Sequence, residues 1–85
     1  MPKSLFSDAY RHMLDVLVEA RTDAGVTQAE LSARLKKPQP LISKIERGVR
    51  RIDVIEFCAI ARALKREPAA LFAQVIAKLP ARLDI

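Results

Sequence analysis

Apolar residues recur along this chain at helical spacing in five separate stretches, most of them closed by a glycine or a proline. Tyr10, Met13, Leu14, Leu17 and Val18 share one face when wound at the helical period. Ser7 or Asp8 can cap that first helix, and Gly25 supplies its stop. In Thr27-x-x-Glu30 each side chain can close an orphan backbone N–H, which opens a second helix. Ala29 or Leu31 through Leu35 supply its buried side, and Pro38 ends it. A third helix begins near Gln39 and tolerates Pro40 in its first turn. It turns Ile42 and Ile45 inward together and stops at Gly48. Asp53-x-x-Glu56 repeats the capping logic for a fourth, with Val54, Phe57, Cys58, Ile60, Ala61 and Leu64 on its apolar side. Pro68 suits the first position of a fifth, whose stripe is Leu71, Phe72, Val75, Ile76 and Leu79 before Pro80 closes it.

This pattern predicts an all-α fold of five helices, one domain over residues 1–85 with a core at about 8–79. Residues 1–6 are expected to form a loose lead-in, and the tail Ala81–Ile85 still carries Leu83 and Ile85. Composition supports helices, with only two glycines and 51% apolar residues to fill a core. The lone cysteine, Cys58, excludes an intrachain disulfide and a cysteine-type zinc site, and is expected in the core. His12 has no second ligand at useful spacing, so no metal is expected. No apolar run approaches twenty residues and no secretory pattern is present, so the expectation is a cytoplasmic protein without a membrane partner. Nucleophile–base pairs and glycine-rich phosphate loops are missing too, which argues against an enzyme and against a cofactor.

Charge changes the picture more. The net charge is +5, which calls for an anionic partner. From Arg34 to Arg51 there are seven cations (Arg34, Lys36, Lys37, Lys44, Arg47, Arg50, Arg51) against one acid, Glu46. That cluster surrounds the second and third predicted helices, which are short and separated by a few residues. Two such helices in tight succession form a helix-turn-helix, an arrangement that lays its second member in the major groove of DNA.

Three landmarks together are more specific than any one alone: Thr27-Gln28-x-x-Leu31; Ile42-Ser43-x-Ile45-Glu46-x-Gly48; and Asp53 opening the fourth helix with Ala61-x-x-Leu64 inside it. Over residues 11–72 they resemble the Cro/phage-repressor-like (Xre-type) helix-turn-helix family, without insertion or deletion between them. The resemblance implies a compact lambda-repressor-like DNA-binding domain. It further implies that Gln28 bonds a phosphate and braces Gln39, the first base-reading position, and that Ser43 and Lys44 face the groove. Arg21 and Glu46 match an ion pair holding the recognition helix to the scaffold, while Arg50 and Arg51 lie in a loop that grips the DNA backbone. Lys36, Lys37 and Arg47 join the expected phosphate contacts as the nearest cations. Two positions depart from the family pattern: Lys36 replaces the turn glycine, which demands a left-handed lysine or a different turn, and Pro40 cannot hydrogen-bond a base. Leu41 either touches a thymine methyl or packs into the domain.

The fifth helix and tail carry more apolar side chains than one packed face uses, so Leu71, Phe72, Val75, Ile76, Leu79, Leu83 and Ile85 form an expected homodimer seam. A dimer suits two half-sites about 34 Å apart on one duplex face. The expected function is a sequence-specific regulator of double-stranded DNA, a repressor acting as a homodimer on a palindromic operator. The alternative is a helical protein-interaction module, antitoxin-type or adaptor, with a partner such as a toxin and with DNA reading secondary or lost. Only Pro40 and Leu41 favour it.

Overall fold

Capping chemistry sets the helix boundaries. A computed structural model of the protein describes residues 7–83, and within them the chain forms α1 (Asp8–Asp23), α2 (Gln28–Leu35), α3 (Gln39–Glu46), α4 (Val54–Ala63) and α5 (Pro68–Lys78). The Ser7 hydroxyl accepts from the Tyr10 amide at the start of α1. Full capping boxes open α2 and α4: Thr27 with Glu30, and Asp53 with Glu56. The Glu67 carboxylate accepts from the Ala69 amide at the start of α5, where Pro68 needs no partner for its nitrogen. The expected lead-in over 1–6, and Ile85, lie outside the described residues.

Four helices end in the same way. The N–H two or three residues beyond the helix returns to the carbonyl five residues back, and the N–H before it to the carbonyl three back: Val26 to Arg21, Lys37 to Ser32, Val49 to Lys44, Arg66 to Ala61. This motif places one residue in the left-handed region. Gly25 and Gly48 take it without strain at φ 71° and 77°, but Lys36 and Lys65 take it at 56° and 58°. The missing glycine after α2 therefore leaves the turn intact, and a lysine side chain bears the strain. Lys65→Gly is expected to raise stability by roughly 0.5–1 kcal/mol, the left-handed penalty less the added freedom of the unfolded glycine. Chemical denaturation checks it, and Lys36→Gly should match the gain while losing a cation from the turn.

α2 packs on α3 and α4, while α1 packs on α3 and α5 and α4 on α5. Leu14, Leu31, Ile42 and Leu71 are the largest side chains wholly inside. Leu71 and Val75 are therefore corrected: expected in a seam, they are 0% and 2% exposed within the domain's own core and have no surface left to share. Val54, expected on the buried side of α4, is 73% exposed, because it is the first residue of that helix and precedes its first inward turn. Ala29 is exposed as well, and Ser32 is buried in its stead with its hydroxyl bonded to the Ala29 carbonyl. Cys58 is half-buried rather than enclosed. No helix among the described residues is long and apolar enough to cross a membrane.

Candidate nucleic-acid interface

The site is built around α3. Ile42 and Ile45 anchor its inner face in the core, so Gln39, Ser43 and Arg47, spaced by four, stand in one row on another face. Gln39, Lys44 and Arg47 are exposed, and Ser43 and Leu41 are half-buried. Leu41 thus lies between its two expected roles, neither enclosed nor fully presented.

A polar chain ties this helix to the scaffold. Arg21 donates from Nε to Glu46 Oε2 at 2.6 Å and from Nη2 to Glu46 Oε1 at 2.9 Å. Its remaining nitrogen donates to the Val26 carbonyl at 2.8 Å. Gln28 Nε2 donates to Glu46 Oε1 at 2.9 Å, and Gln28 Oε1 accepts from Gln39 Nε2 at 3.3 Å. The relay runs from α1 through the end of α3 and the start of α2 to the first residue of α3. It fixes the recognition helix at both ends. The bidentate fork is a geometry only arginine supplies.

A second brace was invisible in the local sequence. Arg11, on α1, donates to the carbonyls of Glu46 and Arg47 at 3.3 Å each, closing carbonyls at the end of α3 with a positive charge. It lies 35 and 36 residues from its acceptors, beyond the reach of any periodicity rule.

The cationic loop after α3 is held from two sides. The Tyr10 hydroxyl accepts from the Ile52 amide at 3.0 Å, and the Arg51 guanidinium lies 4.4 Å from the centre of the Tyr10 ring. Arg50 donates to Glu56 at 2.7 Å and to the Arg51 carbonyl at 2.8 Å. Arg50 and the Asp53 amide, both donating to the Glu56 carboxylate, keep it below the usual carboxylate range. Glu56 was expected only as a cap; it also restrains Arg50. Arg34, in the same cation cluster, turns away to the Ala63 carbonyl at 2.8 Å. Lys36 and Lys37 stand exposed in the turn between α2 and α3.

A short helix anchored by two isoleucines, braced at both ends, exposing polar side chains and ringed by cations, defines a helix-turn-helix DNA-binding domain. Residues 17–71 match the helix-turn-helix family model. The chain is also similar to a solved structure described as an XRE-family like protein from Pseudomonas syringae pv. tomato str. DC3000, with 46% identity and a TM-score of 0.80, over 86% of this chain and 89% of that one. No curated protein matches it. The chain belongs to the XRE family of helix-turn-helix proteins, DNA-binding transcription regulators.

Proposed function

We propose that the protein is a sequence-specific repressor acting in the cytoplasm as a homodimer on a palindromic operator. The observation that carries base reading is the Gln28–Gln39 bond. It uses one proton of Gln39 Nε2 and leaves the other, with Oε1, for a pair to adenine N7 and N6. Gln39 is thus oriented before DNA arrives. Ser43 and Lys44 extend the contact along the groove, and Leu41 supplies an apolar edge for a thymine methyl. Gln28, Lys36, Lys37, Arg47 and Arg51 hold phosphates, and Arg50 does so once released from Glu56. Repression follows from occupying promoter DNA.

Gln39→Ala tests the reading. It should cost about 1–3 kcal/mol on the cognate duplex and relax preference at one base pair, with random DNA bound as before. Equal losses on both duplexes would reduce Gln39 to a phosphate neighbour.

A further inference from the structure

Arg50 differs from the cations around it. Lys36, Lys37, Lys44, Arg47 and Arg51 are exposed, whereas Arg50 is half-buried and committed to an acid. Its backbone N–H reaches the Lys44 carbonyl at 3.2 Å, which ties the residue to the end of α3. Its guanidinium reaches α4 instead, donating to Glu56 Oε2 at 2.7 Å. The other Glu56 oxygen accepts from the Asp53 amide at 2.9 Å and closes the start of α4. Arg50, the Asp53 amide and the nearby Lys37 charge all favour the ionised carboxylate.

We propose that Glu56 is an internal competitor for DNA: its carboxylate occupies Arg50 in the free protein, and a backbone phosphate must displace it. The proposal rests on the reading that Arg50 meets a phosphate, and it names the group that sets the strength of that contact. Carboxylate and phosphate both offer arginine a pair of acceptor oxygens, so one can replace the other. Burial does not prevent the exchange. The Arg50 and Glu56 side chains are 40% and 34% exposed, whereas the Arg21–Glu46 pair, at 13% and 12%, is a fixed brace. Only the side chain has to swing, because the loop backbone is held by the Lys44 carbonyl and by the Tyr10 hydroxyl on the Ile52 amide. A phosphate carries no base information, so the competition weakens cognate and random duplexes alike.

Glu56→Gln tests the competition. Glutamine also closes a capping box, so α4 keeps its start while the charge facing Arg50 is lost. At about 50 mM salt, where ionic contacts are weakly screened, the variant should bind both a random duplex and one selected from a library about two- to fivefold more tightly. The ratio between the two duplexes should not change. Arg50→Gln should weaken binding to both. In that background Glu56→Gln should yield less than half its gain on a logarithmic scale, since no ion pair is left to break. A Glu56→Gln protein that binds no more tightly than the wild type overturns the proposal, and weaker binding would make Glu56 a support that aims Arg50 at DNA. A gain undiminished by the loss of Arg50 would reduce Glu56 to a general repulsion of the duplex and overturn it too. Wild-type affinity in Arg50→Gln would overturn both the competition and the reading that Arg50 grips the backbone.

Discussion

Glu46→Ala is expected to lower the unfolding free energy by about 3 kcal/mol, the low end of the loss on breaking a buried ion pair. The low end applies because water still reaches the edge: the Arg21 and Glu46 side chains are 13% and 12% exposed. The loss arises mainly from stranding. Without the carboxylate, the Arg21 guanidinium keeps only the Val26 carbonyl, and Gln28 Nε2 loses its acceptor in the same step. Binding should suffer as well, since Gln28 then no longer holds Gln39 in one orientation. Urea denaturation measures the first effect, and titration of the cognate duplex at a temperature where the variant is folded measures the second. A stability loss below about 1 kcal/mol would show a pair screened like a surface salt bridge.

Leu71→Ala should cost about 2–5 kcal/mol, as leucine-to-alanine changes in closed cores do, because the side chain is 0% exposed and its removal leaves a cavity among packed helices. The dependence on protein concentration carries the distinction. A core residue lowers the stability of each monomer, so the loss should persist at the lowest concentrations that can be followed. A loss that vanishes on dilution would return Leu71 to the dimer seam.

Much of the fold was legible because its signals are local. Capping boxes at Thr27 and Asp53, prolines at the starts of α3 and α5, and glycines after α1 and α3 each act within one turn, and the helices begin and end at them. The Arg21–Glu46 pair was legible only through family resemblance, since 25 residues separate the partners. Errors concentrated where periodicity cannot tell inside from outside. The stripe on α5 contains both Leu71 and Phe72, adjacent in sequence, yet packing closes over one and leaves the other 43% exposed. Val54 continues the α4 pattern but sits at its first residue, where the helix has not yet turned toward the core. Lys65 in a left-handed turn left no signal at all, because the motif that requires it is formed by backbone groups.

The same distinction governs the candidate site. The family resemblance marks Gln39, Ser43 and Lys44 as groove-facing, on one short helix whose face the spacing of Ile42 and Ile45 sets. The braces from Arg11 and Tyr10 depend on where α1 crosses that helix and the loop beyond it. Glu56 was half legible: its spacing from Asp53 announces a cap, while its hold on Arg50 depends on how the intervening loop folds.

The central claim is sequence-specific reading of duplex DNA by α3. Selection of bound duplexes from a random library, followed by titration of the selected sequence at two salt concentrations, tests it most directly. The account predicts a palindromic sequence with half-sites about one helical turn apart, bound at least about 10³-fold more tightly than random DNA. Affinity should fall steeply with salt as counterions are released, while preference over random DNA persists at the higher salt. A library that yields no enriched sequence, with only weak salt-sensitive binding, would contradict the account and leave a basic helical module whose partner is a protein.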